Sequence, residues 1–529
     1  ALFGADVSVA CYSEYLSNQD HKDFAFMFRL LHVSERVEYG TFDTLCENNI
    51  NSQGSVRELV EAFFSSGELP KAGTEGWVAW ATKWFASAAS NDLKQRPQIL
   101  LLDEVDVALV PKILGSTRTP IAQVTSEEIQ DMVLHIWQNR GNAEELEMDT
   151  LRATAQYKAL LGRYNAVFHP MIERSVQGMA KGVQSFEAHE YVYENGRIGY
   201  KKHDSVSFKT TLGYQTMFAL LHELEKEGKD VATDTHARNK MQIELVCGHF
   251  SYLAVQQLFA CMLGVSGTLA DLSEPEWKVL RERYKVKHTT LMPSMFGVSK
   301  LKSFEANDLK VVEEQQFTLT IAQEIKRVHD QGRPVIVLVE DEAVLEKLKG
   351  ADAGMAGLME DVQEFKETLP AAEKERIVRD ATVPGKITLC TRAFGRGVDF
   401  QVRDPTVAGK GGVHVVQTFM AETMAEETQI KGRTARQGET GSHSFVLCQE
   451  DLVSELGVDM GKFNGFDSAV KKLAYLHEKR DAKFAAAFAK CIEAADGAKA
   501  KHDVSVKFLE ALRTGDQRAV ADKLAEWAE

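Results

Sequence analysis

Along most of the chain, short apolar runs and longer stretches of helical periodicity follow one another in the rhythm of strand and helix. Residues 7–11 (VSVAC) read as a strand, 15–31 as the helix after it, and 37–41 (VEYGT) as another short strand ending in a turn. The sharpest local signal is PQILLLDEVDVALV at 97–110, where four aliphatics in a row predict a strand buried on both faces, ending abruptly in Asp103 and Glu104. Acids at the carboxyl end of such a strand sit where open parallel sheets bind ligands. They serve equally well to begin and solvate the next helix, so the pair alone does not choose.

From about residue 111 to 245 the texture changes to acidic amphipathic helices followed by YVYENGRIGYKKHD. There Asn195 and Gly196 form the favoured two-residue turn between alternating runs, a strong hairpin signal. At 252–277 a helical stretch leads into a strand that ends in Ser266, Gly267 and Thr268. A second run of strands and helices spans 318–450, including the apolar strand PVIVLV and the glycine-flanked arginine of KITLCTRAFGRGVDF. The expected organisation is an α/β protein of two lobes: 1–110, an insert at 111–245, a return with a connector at 246–315, the second lobe at 316–452 and a helical region at 453–529. In that last region Phe484, Phe488 and Ile492 at helical spacing, and Val520, Leu524 and Trp527 after them, read as core faces.

With 529 residues the chain exceeds a single core, and the soft expectation is about three to four domains. Its 44% hydrophobic and 26% charged residues, with only 11 prolines, describe a globular rather than a disordered chain. The longest apolar runs fall well short of the roughly 18 residues a membrane span requires. Seven scattered cysteines without a C-x-x-C pair read as reduced, mostly buried thiols of a cytoplasmic protein. A net charge of −15 argues against affinity gained by covering a phosphate backbone, which demotes nucleic acid as a partner. The chain opens without methionine or a targeting arm and reads as a fragment of something longer.

The stretch QIKGRTARQGETGSHSF at 429–445 sets Arg433 and Arg436 three apart among glycines. Such a pair is either a solvated basic patch or a clamp for phosphate oxygens, whose geometry the guanidinium fork matches. The chain also carries, in order, YLSNQD (15–20), YGT (39–41), DEVD (103–106), SGT (266–268) and RAFGRGVDF (392–400). Together these resemble SecA, the preprotein translocase ATPase, and within that group the divergent SecA-like proteins found outside bacteria. The resemblance runs over about residues 7–455 and is most specific in GRGVDF and GRTARQGETGSHSF.

The resemblance implies two RecA-like lobes using ATP and Mg²⁺. Asp103 would hold the metal through water, Glu104 would orient or deprotonate the attacking water, and Arg433 and Arg436 would act as arginine fingers. Gly395, Arg396, Gly397, Asp399 and Gln437 would contact the nucleotide from the second lobe, while Asp106 and Thr268 would link hydrolysis to lobe movement. The implied substrate is unfolded or pre-protein polypeptide, with a membrane translocation channel as a further partner and a cytoplasmic or membrane-peripheral location. About 160 residues separate Glu104 from Ser266, where SecA places its preprotein-binding domain and RNA helicases have a short connection.

The departures are equally specific. No G-x-x-x-x-G-K-[ST] loop occurs in the 529 residues, so the resemblance leads one to expect that the sequence starts just after the loop, or that the loop was lost in a motor that no longer hydrolyses. TRAFGRGVD, in place of the family's TNMAGRGTD, is expected to put Arg392 and Phe394 at the edge of the nucleotide pocket. The SecA pattern cannot be followed after Asp451. Three functions therefore stand: a polypeptide-moving ATPase, a non-hydrolysing scaffold and, least favoured, an RNA helicase.

Overall fold

The computed structural model describes residues 1–11, 13–51, 55–66, 96–202, 205–208, 211–303, 308–350, 354–514, 516, 518–520 and 522–523. The first sheet is built from β1 (Asp6–Ala10), β2 (Val37–Gly40) and β3 (Gln98–Asp103), with the helix Glu14–Leu30 connecting β1 to the region of β2. The chain then leaves this lobe through two short strands, β4 (Thr117–Arg118) and β5 (Ile121–Val124). The insert contains β6 (Val192–Glu194), β7 (Arg197–Lys202) and β8 (Ser205–Ser207), and the chain returns through β9 (Ile243–Val246) and β10 (Phe250–Ser251) to β11 (Cys261–Val265).

β9 pairs with β5 and β10 with β4, both antiparallel, so the outgoing and returning chains form a two-stranded stalk. Beyond it, Asn195 and Gly196 take positive φ in the turn from β6 to β7. The helices Glu127–Gln138, His169–Ser185 and Tyr214–Lys226 close over a core in which Trp137 stacks on Phe218 at 5.8 Å. The excursion can be this long because its ends are tied together side by side, independently of the first sheet.

The first sheet is parallel, in the order β11-β3-β1-β2. Here the structure differs from the sequence expectation for β3: Leu100 and Leu102 are buried, but Ile99 and Leu101 are only half covered. One face of the sheet is incompletely packed. The edge strand β11 shows the same feature, with Leu263 and Val265 53% and 59% exposed.

The second sheet is fuller. It contains β12 (Lys300–Lys302), β13 (Leu309–Val312), β14 (Val335–Val339), β15 (Val362–Phe365), β16 (Ile387–Thr391), β17 (Val413–Gln417) and β18 (Thr440–Cys448). Its order is β12-β18-β17-β14-β16-β15, with β13 also on β18, and every pairing is parallel. β14, β16 and β17 are buried throughout, as expected for strands covered by helices on both faces. A boundary at 316 is too late, since β12 and β13 already belong to this sheet; these short strands at its edge carry too little pattern to be recognised alone.

The helix Ala469–Thr514, 46 residues and about 70 Å long, ties the parts together. Leu473 and Leu476 pack with Phe445 and Leu447 of the second lobe, Phe488 and Cys491 enter the core of the first, and Phe508 and Leu512 enter that of the insert. Val520 is buried, whereas Leu524 and Trp527 lie outside the described residues. At the second lobe the helix is fixed by charge: Arg480, 1% exposed, meets Glu427, fully buried on the helix Met424–Lys431, at 2.9 Å, with His477 also at 2.9 Å and Lys431 beside it.

Burial raises the Glu427 carboxyl, but the hydrogen bond from His477 and the charge of Lys431 outweigh it and hold the group at about 2. A carboxylate held below its ordinary 4.5 stabilises the fold above that pH, and the contribution is lost as pH falls toward 2. Arg480→Met is therefore expected to lower unfolding free energy by about 3 kcal/mol in urea titrations at pH 7. The difference from wild type should shrink below pH 4.5, and a constant difference down to pH 2 would mean that packing rather than charge fixes the helix.

Candidate nucleotide cleft

At the carboxyl end of β3 the chain turns sharply, with Glu104 in the left-handed region at φ 59°. For a residue with a side chain this conformation is strained and needs support from its surroundings. The support comes from both lobes. Ser266, just after β11, places its hydroxyl 3.2 Å from Glu104 Oε2 and 3.0 Å from Asp106 Oδ1, and the Thr268 hydroxyl lies 2.9 Å beyond. From the second lobe, Gln429 Nε2 donates to Glu104 Oε1 at 2.9 Å, and Arg396 forms an ion pair with Asp106. Asp106 and Thr268 are 5% and 1% exposed, so the seam between the lobes is desolvated where these groups meet.

The arginine segment is likewise strained. Ala435 and Gln437 have φ of 51° and 50°, so three of the six described non-glycine residues with positive φ lie at this cleft. Gly441 explains part of the GRTARQGETG pattern: a methyl group there would come within 2.0 Å of the Thr434 hydroxyl, so only glycine lets the arginine turn lie against β18. Gly397 has φ 69°, which turns the chain between Arg396 and Asp399, and Gly395 is buried against Ile430.

Neither arginine of the pair points freely into the cleft. Arg433 is 5% exposed and donates to the carbonyls of Gln429 and Val398 and to the Gln429 side chain. Burial and the neighbouring Arg436 push its guanidinium down to about 10. Arg436 pairs with Asp399 at 3.0 Å, while Gln437 is exposed at the tip of the turn. Arg392 and Phe394 are not at the cleft's edge, contrary to the sequence expectation. Phe394 stacks on Phe365 inside the second lobe, and Arg392 is held by Glu426 at 2.7 Å, Glu340 at 2.8 Å and Glu422 at 3.2 Å. A buried ring and a guanidinium meeting three carboxylates have better partners there than at the cleft.

No family model matches the chain. Among curated proteins, the SecA protein translocase subunit of Campylobacter curvus is 23% identical over 527 residues, covering 90% of this chain and 56% of that protein. The SecA subunit of Syntrophus aciditrophicus is 26% identical over 372 residues, covering 66% and 40%, and that of Campylobacter concisus 29% over 245 residues, covering 42% and 26%. The chain is SecA-like. It spans 56% or less of the length of each of these relatives. Among solved structures, the helicase domain of Pyrococcus furiosus Hef aligns over 84% of this chain and 86% of its own, at 12% identity and a TM-score of 0.21.

Three residues of this candidate cleft escape a reading of the sequence. Gln429 opens the arginine motif, but its bond to Glu104 spans 325 positions. Asp20 closes the YLSNQD motif, and Cys11 directly follows β1. Ligand atoms of Cys11, Asp20 and Asp103 lie within 4.8 Å of one another at the carboxyl edge of the first sheet. Burial raises the Asp103 carboxyl, and Asp20 and Asp106 raise it further; burial and Asp23 raise Asp20. Burial and both carboxylates push the Cys11 thiol up to about 12. Two crowded carboxylates suit a hard divalent cation such as Mg²⁺, whereas a protonated thiol is the wrong ligand for it.

Glu104 is also raised, chiefly by burial and then by Asp106, against the opposing effects of Arg396 and Gln429. A carboxylate raised in the folded state destabilises the fold when ionised, and relief comes either by protonation as pH falls through its folded value or by a bound cation. Thermal melts at pH 7 are expected to show Mg²⁺ raising the midpoint of the wild-type protein. Asp103→Asn should melt higher than wild type without the metal and lose most of the Mg²⁺ increment, and Asp20→Asn should lose part of it. An undiminished increment in both variants would remove these residues from the metal site.

Proposed function

We propose that this chain is the motor core of a SecA-like ATPase that couples Mg-ATP hydrolysis to moving or remodelling a polypeptide. The observation that carries this reading is the junction at the end of β3, where Glu104 and Asp106 are each bonded to the second lobe, by Gln429 and Arg396. A base tied to both lobes can respond to their separation, which is what a motor requires.

In this reading Asp103 and Asp20 hold Mg²⁺, which would neutralise phosphate charge. Glu104 takes the proton of the attacking water, and its raised proton affinity brings it closer to the range useful at neutral pH. Arg436, and Arg433 after a rearrangement of its present bonds, supply donors to the charge that develops on the transferred group. Asp399 holds Arg436 until phosphate competes for it. Arg396, Asp106 and Thr268 transmit the state of the cleft, and Gly395, Gly397 and Gln437 form its second-lobe wall. β11 pairs with β3 alone among the described strands, so its other edge could take an additional parallel strand beside Ser266, and a phosphate-binding loop after such a strand would enter the same cleft. The insert, which lies within the 162-position separation of Glu104 and Ser266, supports polypeptide rather than RNA as the substrate class.

One observation favours a second reading, a scaffold that does not hydrolyse ATP: the 529 residues contain no G-x-x-x-x-G-K-[ST] loop. Phosphate release by the protein carrying this chain separates the two. Under the motor reading Glu104→Gln is expected to lower turnover at least about 100-fold while leaving nucleotide affinity nearly unchanged. Equal turnover in that variant would exclude Glu104 as the base, and no turnover in wild type would favour the scaffold. Unfolded polypeptide should stimulate turnover and single-stranded RNA should not; salt-sensitive stimulation by RNA would favour a helicase.

A further inference from the structure

Coordination of Mg²⁺ by Asp20 and Asp103 leaves the third group that converges on them, the Cys11 thiol, without a role. Cys11 directly follows β1, and its backbone N–H donates to the Gly40 carbonyl of β2 at 2.9 Å. β1 and β3 run parallel, with Asp6 against Gln98 and Ala10 against Leu102, so Cys11 leaves one strand beside Asp103 at the end of the other. Asp20 comes from the second turn of the helix Glu14–Leu30, three positions beyond Ser17, which is buried and hydrogen-bonds the Cys11 thiol.

The Cys11 sulfur, one carboxylate oxygen of Asp20 and one of Asp103 all lie within 4.8 Å of one another. Among the described residues no other three histidine, cysteine, aspartate or glutamate side chains meet in this way. The charges that act on the two aspartates are themselves carboxylates, Asp23 on Asp20, and Asp20 and Asp106 on Asp103. Three atoms so spaced leave a point within about 2.8 Å of each, and zinc bonds of about 2.3 Å to sulfur and about 2.1 Å to carboxylate oxygen need a closure of less than about 1 Å. The sulfur is 1% exposed, but both aspartates are only half-buried and leave an ion a path to it.

Mg²⁺ takes oxygen ligands in a near-octahedral shell and gains nothing from sulfur, whereas a thiolate selects a softer ion such as Zn²⁺. Zinc is satisfied by three protein ligands with a fourth position left to water or to an oxygen of a bound molecule. We propose that Cys11, Asp20 and Asp103 form a Zn²⁺ site within the candidate cleft, and that Zn²⁺ held there excludes Mg²⁺ from the two aspartates. On binding, Cys11 Sγ releases its proton to solvent and forms the S–Zn bond, and each aspartate supplies one oxygen, with no change of oxidation state. That Zn²⁺ would thereby lower ATP turnover rests on the proposed motor function; the Zn²⁺ site itself does not.

The test uses the protein carrying this chain, without nucleotide. Co²⁺, which accepts zinc ligands and absorbs in the near ultraviolet when bound by a thiolate, is titrated into wild type, Cys11→Ser and Asp20→Asn, and Zn²⁺ affinity is measured by competition with a chromophoric chelator. Wild type is expected to show a thiolate band that Zn²⁺ abolishes. Cys11→Ser should lose that band and bind Zn²⁺ at least about 100-fold more weakly, and Asp20→Asn should keep the band and bind at least about tenfold more weakly. In thermal melts one equivalent of Zn²⁺ should remove most of the Mg²⁺ increment of wild type, whereas Cys11→Ser should keep its increment, which also shows that this variant folds. A wild type without the band, or an unchanged Zn²⁺ affinity in Cys11→Ser or in Asp20→Asn, would overturn the site. A full Mg²⁺ increment in Zn²⁺-loaded wild type would overturn the exclusion of Mg²⁺. If Mg²⁺ gives no increment even without Zn²⁺, the Mg²⁺ assignment fails, while a band lost in Cys11→Ser still establishes the Zn²⁺ site.

Discussion

Asp106 is a carboxylate with 5% exposure, and its ion-pair partner is Arg396, 290 residues away in the other lobe. A charge buried to this degree is stable only while its counterion is in place. The strand end that also carries Asp103 and Glu104 is thereby tied to the second lobe. The Gln429 bond to Glu104 crosses the same seam, while the Ser266 hydroxyl supports Glu104 and Asp106 from within the first lobe.

The closed arrangement leaves the arginine pair engaged within its own lobe. Arg433 satisfies backbone carbonyls and Arg436 satisfies Asp399, so an anion entering the cleft has to offer more than these contacts do. The long helix Ala469–Thr514 adds a second constraint. It grips the helix Met424–Lys431, which runs into the arginine segment, through Glu427 and Arg480, and it also packs into the cores of the first lobe and the insert. Movement of any one part is therefore resisted by the other two.

The two lobes also differ in how completely they are built. In the second, β14, β16 and β17 are covered on both faces, whereas in the first β11 and the outer face of β3 retain exposed or half-exposed aliphatics. The same apolar strand signal therefore stands for two burial states. Local pattern predicts a strand wherever aliphatics cluster, but whether both faces are covered depends on which helices and neighbouring strands reach it.

What the sequence determined by itself was local. Alternating apolar runs specify the strands, Asn195-Gly196 specifies a hairpin because both residues accept positive φ, and the glycines around Arg396 and Arg433 mark where the backbone must turn or approach closely. Ordered motifs likewise brought Asp103, Glu104, Asp106 and Arg396 forward as one group. Only the tertiary structure decided what those side chains touch. Gln429 reaches Glu104, Asp20 and Cys11 converge on Asp103, and Phe394 and Arg392 turn away from the cleft, because each partner lies on a separate element whose position is set by sheet order and helix packing. Strand and turn propensities act over a few neighbouring residues, whereas a buried charge selects its partner by distance in space, and that distance exists only once both lobes have folded.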